Sequence, residues 1–220
     1  MNRPSIPGRF LFRVAIPCYY MDTFPKDSVF PEKYLFPDFA ALESAETPPK
    51  ESPVEVRGAW NENGLAFQFR VTGRQKMPFC RENQRMLSDR VEFWLDTRDV
   101  RNVHRATKFC HGFGLMPLGG GADGQKPIFF SQPINRAKEH PNDIPRGSVS
   151  VFSKIIPHGY IVTVHLPAKA LTGFYPDEFP RLGIAWAVYD RTLGEITLTP
   201  AAPFPFREDP SLWSTLELVR

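Results

Sequence analysis

The feature that most limits how this chain can fold is a two-residue alternation of apolar and polar side chains in short runs. In residues 65–72, Phe67 and Phe69 share one side of an extended chain, while Gln68 and Arg70 share the other. Side chains of a β-strand point alternately to opposite faces, so such a run predicts a strand with one face in a core and one in water. Strand-like runs recur along the chain, separated by Pro and Gly, at 10–16, 54–60, 65–72, 90–96, 107–116, 148–156, 160–166, 182–190 and 212–219.

These runs predict an all-β fold: an antiparallel, jelly-roll-like β-sandwich with long loops and one or two short helices. Two hairpins are indicated by turn residues that end in glycine, Asn61 to Gly64 and Pro157 to Gly159. Helical patterns are short and occur at 37–46 and 167–173.

Two Pro-rich or Gly-rich segments, 17–53 and 117–147, are predicted to be long loops. The three glycines 119–121 predict a flexible hinge and not a phosphate-binding loop, because no Gly-Lys-Ser/Thr ending follows them. A length of 220 residues fits one β-sandwich domain, 1–220. Within it, we expect 1–53 to add an N-terminal strand and a loop, and 54–219 to form the sandwich proper.

Charge and cysteine usage exclude several classes of function. The 27 basic and 24 acidic residues leave a net charge of +3 and are interspersed, whereas nucleic-acid binders concentrate basic residues on one face. We therefore expect no nucleic-acid partner. Cys18, Cys80 and Cys110 form no Cys-x-x-Cys pair, so we expect reduced, buried thiols and no disulfide framework.

The first residues do not have the pattern of a signal peptide, because Arg13 interrupts the apolar run. No stretch reaches the roughly 20 apolar residues that a membrane-spanning helix needs. We therefore expect a cytoplasmic protein with no membrane partner; a chain trimmed of its leader would instead be secreted.

Two short motifs resemble those of a known group of β-sandwiches. One strand has the pattern D-x-V-E-F-x-L-D, and a later strand ends in Pro before an A-L turn and a Gly-led strand. The residues that match are Asp89, Val91, Glu92, Phe93, Leu95 and Asp96, then Pro167, Ala170, Leu171 and Gly183. Residues 54–219 thereby resemble family 9 carbohydrate-binding modules and the wider DOMON-like sandwiches.

The resemblance implies a jelly-roll-like sandwich that binds sugars on aromatic side chains. In some members it also implies a bound structural calcium, and no other cofactor is expected. Such modules are usually secreted and joined to a glycoside hydrolase; we expect neither a signal sequence nor a catalytic domain within these 220 residues, which also contain an unusual stretch, DTRDVRNVHRATKFCHGF.

Trp94 is the strongest candidate for a ligand platform. By alternation it shares a face with Glu92 and Asp96, opposite Phe93. A tryptophan ring can pack against the C–H face of a pyranose while carboxylates accept hydroxyl hydrogen bonds. The alternative is that segment 17–53 or 117–147 covers Trp94, which then belongs to a second small core.

A charged run follows this strand. Arg98, Asp99 and Arg105, together with Asp96, predict a polar cluster that could hold a hydroxylated or anionic ligand through guanidinium groups. The alternative is a solvated loop with weak ion pairs. Arg101 and His104 belong to the same run.

Chemistry other than binding has less support. Glu92 and Asp96 lie about 13 Å apart on one strand, whereas paired glycosidase carboxylates lie about 5–9.5 Å apart. His104, Cys110 and His111 match no zinc spacing, and His111 shares parity with core residues, which favours a hydrogen-bonded core histidine.

Three hypotheses follow. The first is a non-catalytic binding module with a carbohydrate ligand. The second is a cytoplasmic structural or protein-interaction domain, which requires a covered Trp94 and an apolar patch elsewhere. The third, with least support, is a glycoside hydrolase or haem-binding domain on the same fold.

Overall fold

The computed structural model describes residues 15–26, 28–38, 52–198 and 204–220. These residues form eleven β-strands and four short 3₁₀ helices. The strands are β1 (Ala15–Tyr20), β2 (Val54–Asn61), β3 (Gly64–Val71), β4 (Arg90–Asp96), β5 (Cys110–Gly120), β6 (Lys126–Gln132), β7 (Ser150–Ile156), β8 (Gly159–Pro167), β9 (Arg181–Asp190), β10 (Gly194–Thr197) and β11 (Ser214–Val219). The helices are Glu32–Tyr34, Glu82–Leu87, Ala168–Ala170 and Pro210–Leu212. None of the described helices is long or apolar enough to cross a membrane.

The strands make one hydrogen-bonded path, β6-β5-β4-β9-β11-β1-β2-β3-β8-β7, with β10 paired to β9. β1 is parallel to both β11 and β2 and so joins the two halves of the path; the other pairs are antiparallel. The halves pack face to face, since Phe93 of β4 contacts Phe67 and Phe69 of β3 with ring centroids 5.7 and 5.9 Å apart. The predicted all-β sandwich is confirmed.

The core lies between these two layers and follows the predicted alternation. Phe67, Phe69, Phe93 and Leu95 are fully buried there. Burial of each such side chain stabilises the fold by roughly 1.5–3 kcal/mol, and aromatic rings in edge-to-face contact add to this.

The outer faces of β3 and β4 are also covered, so the prediction of a water-facing side is wrong for these strands. On β3, Gln68 is only 2% exposed. Its amide donates to the Ser28 carbonyl (3.1 Å) and the Thr163 hydroxyl (3.0 Å) and accepts from the Phe30 N–H (3.0 Å). Residues 21–26 and 28–34 therefore cover this face of the sheet, held by hydrogen bonds that alternation does not reveal.

Most predicted strands are confirmed to within a few residues, and both hairpins are present. The first strand begins at Ala15 and continues to Tyr20, whereas the sequence placed it at 10–16, of which residues 10–14 lie outside the described residues. The predicted helix at 37–46 lies mostly outside them as well, and the one at 167–173 is reduced to the 3₁₀ turn Ala168–Ala170.

The segment 117–147 was wrongly predicted to be a loop throughout. It contains β6, which pairs with β5, and the three glycines end β5 and open the turn between these strands. Gly119 and Gly121 have φ of 104° and 75°, which side chains with a Cβ rarely adopt. The segment is therefore strand at 117–120 and 126–132, whereas 121–125 form a turn and 133–147 are loop, as predicted. β10, the other strand that sequence patterns missed, has only four residues.

A buried charge network joins the ends of several strands. Arg74 (2% exposed) donates to Asp89 at 2.7 Å and forms an ion pair with Asp190. Asp89 also accepts from the N–H groups of Phe79 and Arg191, both at 2.7 Å. The network therefore fixes the β3–β4 connection against the turn that follows β9.

His111 is a core histidine, as its parity predicted. It is 1% exposed and its ring stacks on Phe113 with centroids 5.7 Å apart. Burial lowers the pKa of His111 to about 4.

The low pKa of His111 predicts a pH-dependent stability. The unfolded chain takes up the proton near pH 6.5 but the folded chain only near pH 4, so the free energy of unfolding falls as the pH drops between these values. The expected loss from this group is about 3 kcal/mol. Urea unfolding of the wild type and of His111→Gln across this range measures it, and the variant should show a flatter profile.

Direct observation of the His111 ring by NMR serves as an independent check. A midpoint near 4 is expected, whereas a midpoint close to 6.5 together with an unchanged stability profile in the variant would contradict the prediction.

Candidate functional site

Trp94 lies in a second small core, as in the alternative considered for it. It is 3% exposed and packs edge-on against Phe206 at 5.5 Å, with Ile134 and Trp213 in the same cluster. Ile134 comes from the segment predicted to be a loop, and Phe206 from the stretch before β11. A ring covered in this way offers no face to a sugar, so a platform role for Trp94 does not follow from this arrangement.

Glu92 is buried beside Trp94 but is already paired. Arg90 donates to it at 2.7 Å, both side chains are about 5% exposed or less, and the guanidinium stacks 3.9 Å above the Tyr189 ring. A buried carboxylate is stable only when its charge is compensated, and Arg90 compensates the charge of Glu92. In return, Glu92 holds the Arg90 guanidinium in place.

Asp96 organises the turn that follows β4. Its carboxylate accepts from the N–H of Arg98 (3.0 Å) and of Val100 (2.9 Å). Burial raises the pKa of Asp96, although these two hydrogen bonds oppose the effect. The turn places Asp99 in the left-handed region, with φ of 47°, so Asp96 determines where Arg98 and Asp99 are presented.

Arg98 and Asp99 line a groove at one end of the sheet. Here the ends of four strands lie side by side: Asp96 of β4 is opposite Gly183 of β9, Gly183 is opposite Thr215 of β11, and Thr215 is opposite Ala15 of β1. The groove has a volume of about 360 Å³. We call it the arginine groove, and its lining residues are Ala15, Arg98, Asp99, Arg101, Arg181 and Thr215.

Asp99 is the acceptor of this groove. Its carboxylate takes the Thr215 hydroxyl hydrogen bond at 2.8 Å. Arg101 and Arg181 approach it at 3.5 and 3.7 Å, beyond a charge-assisted hydrogen bond. The groove therefore combines a fixed carboxylate with guanidinium groups that it holds only loosely.

Arg98 is held by aromatic rings. Its guanidinium lies 4.3 Å from the Phe109 ring centroid and 3.8 Å from that of Phe179, and it donates to the carbonyls of Thr97 and Gly173. The Tyr175 ring is 6.0 Å away and 59% exposed. An exposed aromatic ring thus lies next to the arginine groove.

Of the six predicted site residues, Arg98 and Asp99 lie together in the turn that Asp96 organises. The other three, Trp94, Glu92 and Arg105, lie outside the groove. Arg105 is exposed and donates to the Arg136 carbonyl at 2.8 Å, outside the groove lining. Sequence patterns missed Arg181, Thr215 and Tyr175. The only available signal was the position of Arg181 immediately before a predicted strand. That position places Arg181 beside the end of β4 only once β9 is known to run antiparallel to β4.

A serine, a histidine and an aspartate meet near the last strand without forming a catalytic triad. His104 Nδ1 lies 3.1 Å from the Asp209 carboxylate and 3.0 Å from the Ser211 hydroxyl. A triad needs the acid on one ring nitrogen and the nucleophile on the other. Here both partners share Nδ1, so His104 has no arrangement for activating Ser211.

The described residues contain no cluster of metal-ligating side chains. No group of three or more His, Cys, Asp or Glu side chains in those ranges could hold an ion. Calcium prefers six to eight oxygen ligands, yet the carboxylates of Asp89, Glu92 and Asp96 are each engaged by arginine or backbone N–H groups. Burial raises the pKa of Cys110 to about 12, which keeps its thiol neutral.

A second concavity lies beside β5 and β6. This polar cleft has a volume of about 560 Å³, and its polar lining includes Gln132, Glu139, Asn142, Asp143 and Arg146. Its lining contains no Phe, Tyr or Trp and its ring is the imidazole of His140, so it offers hydrogen bonds but no large apolar ring on which a sugar could pack.

Comparison with known proteins identifies the architecture. No protein-family model matches the sequence, and no curated protein matches it. A solved structure of a family 9 carbohydrate-binding module from Caldicellulosiruptor kristjanssonii, in complex with cellotriose, superposes with a TM-score of 0.63 over 94% of each chain. This chain has the family 9 module fold. A second structure of such a module from the same organism, in complex with glucose, gives a TM-score of 0.59 over 93% of this chain and 96% of the other.

The sequence identities to these family 9 modules are 14% and 13%. At this distance the likeness establishes the fold, and a ligand has to be argued from the site. The resemblance seen in the strand motifs of the sequence is therefore confirmed for the fold.

Proposed function

We propose that this protein is a non-catalytic carbohydrate-binding module and that the arginine groove is its ligand site. The observation that carries the proposal is the family 9 module fold along nearly the whole chain, with a groove at one sheet end whose lining suits a polyol. A volume of about 360 Å³ lies within the size range of small-molecule sites.

The groove offers the contacts that a sugar needs. Guanidinium groups of Arg101 and Arg181 donate hydrogen bonds to ring and hydroxyl oxygens, and the Asp99 carboxylate accepts from hydroxyl groups. The exposed Tyr175 ring supplies an apolar face for sugar C–H groups. In this proposal the aromatic contact comes from Tyr175 and not from Trp94.

Calorimetric titration tests the proposal. Cellotriose, glucose and a panel of other soluble oligosaccharides are added to the wild type and to Asp99→Asn, Arg101→Gln and Tyr175→Ala. At least one saccharide should bind, and each variant should bind it about tenfold more weakly or worse, since each loses a hydrogen bond to a charged group or a stacking contact.

Arg146→Gln in the polar cleft is the matched control and should bind like the wild type. If no saccharide binds, the proposal fails. If only Arg146→Gln loses affinity, the ligand site is the polar cleft, and its assignment to the arginine groove is wrong.

A second function is favoured by one specific observation. Met86 and Leu87 on the β3–β4 connection are 68% and 67% exposed and line the same surface concavity. Exposed apolar side chains close together mark protein contact sites, and a covered Trp94 agrees with a protein-interaction domain. If this is the function, Met86→Ser with Leu87→Ser should abolish an association seen by analytical ultracentrifugation or with a purified partner, while sugar titrations show no heat.

A further inference from the structure

The arginine groove contains more positive charge than its own carboxylate neutralises. Three guanidinium groups, those of Arg98, Arg101 and Arg181, line it with the single carboxylate of Asp99. The nearby Asp96, whose oxygens accept from backbone N–H groups at 2.9–3.0 Å, adds a second negative charge and still leaves one guanidinium in excess. A neutral sugar would leave this excess positive charge without a counterion.

Two of these arginines, Arg101 and Arg181, have guanidinium N–H groups that are available to a ligand. Within the described residues, the side chains of Arg101 and Arg181 make no hydrogen bond, and their closest approaches to Asp99 are 3.5 and 3.7 Å. The buried arginines of the same protein differ: Arg74 and Arg90 each reach a carboxylate at 2.7 Å. A guanidinium is best satisfied by a planar anion that accepts two parallel hydrogen bonds.

Building on the proposed function, we infer that the arginine groove selects an acidic saccharide, whose carboxylate binds Arg101 and Arg181. A uronic acid fits because it carries two kinds of group on one ring: the carboxylate accepts from the guanidinium groups, and the hydroxyls donate to Asp99. An inorganic anion offers no donor to Asp99 and is repelled by it.

The experiment uses a uronic-acid oligosaccharide and its carboxyl-reduced neutral counterpart, which differ only in the charged group. Calorimetry at low and high salt compares the two with the wild-type protein. We expect the acidic form to bind about tenfold more tightly or better at low salt, since its hydrogen bonds to arginine are charge-assisted. This preference should shrink at high salt, because the side chain of Arg181 is 56% exposed and screened.

Arg181→Gln separates the inference from a general effect on folding. Its exposed side chain should not alter stability, and the variant should lose several-fold more affinity for the acidic form than for the neutral form, so that most of the preference disappears. Arg146→Gln should keep the preference of the wild type.

Each outcome bears on a different claim. Equal affinity for the two forms, or tighter binding of the neutral one, overturns the inference and leaves the proposed function standing. Binding of neither form overturns the inference, and if no saccharide in the wider panel binds, the proposed function fails too. Competition by sodium sulfate at matched ionic strength, as strong as that by the free uronic acid, would mean an unselective anion site and would also overturn the inference.

Discussion

Replacing Arg74 by methionine is expected to destabilise the protein by about 3–5 kcal/mol, the usual cost of removing one partner from a buried ion pair. Arg74 is 2% exposed and faces two carboxylates, Asp89 and Asp190, that are themselves buried. Without the guanidinium, both must either stay charged in a medium of low polarity or take up protons. Chemical denaturation at pH 7 measures the change in the free energy of unfolding.

The exposed Arg146 is the matched control, because Arg146→Met makes the same chemical change at the surface and should cost less than about 0.5 kcal/mol. The variant Arg74→Met should also regain part of its stability as the pH falls, since its uncompensated carboxylates then become neutral. Equal stability of Arg74→Met and Arg146→Met would show that the ion pairs contribute nothing.

Truncating Trp94 is expected to have a similarly large effect on folding. Trp94→Ala removes a buried ring that contacts Phe206 and leaves a cavity among side chains that cannot fully close on it. Large aromatic side chains in such positions cost about 3–5 kcal/mol on truncation to alanine. The midpoint of thermal or urea unfolding measures this, and Trp94→Phe should lose less because part of the ring contact remains.

Tyr175→Ala provides the opposite pattern. Tyr175 is 59% exposed, so its removal should leave stability within about 0.5 kcal/mol while it weakens sugar binding. If instead Trp94→Ala kept its stability and lost binding, the Trp94 ring would be the platform that the sequence first suggested. The two aromatic residues thus separate packing from ligand contact.

Alternation predicted which side chains enter the central core but not what happens on the opposite face. Phe93 and Leu95 are buried between the layers, as their parity requires. Trp94 and Glu92, on the other face, are buried too, because residues far apart in the chain fold over them. A period of two reports the direction of a side chain; it carries no information about which loop later covers it.

The candidate site, too, could be predicted from the sequence only in part. Local sequence identified Arg98 and Asp99, because both belong to a dense charged run that follows the end of a strand. Ligands commonly bind at such strand ends. Local sequence could not identify Arg181 or Thr215, which are more than 80 residues away and join the groove because β9 and β11 align their ends with that of β4. Strand order and register decide this alignment.

The sequence by itself therefore determined the class of fold, the faces of the central core and the two hairpins, because these follow from side-chain parity and turn chemistry within a few residues. The tertiary structure alone decided that Trp94 is covered, that Asp89 is paired with Arg74, and that Arg101 and Arg181 converge on the Asp99 carboxylate. Each of these depends on contacts between distant segments, whose free energy is set by packing and desolvation and leaves no periodic signature in the chain.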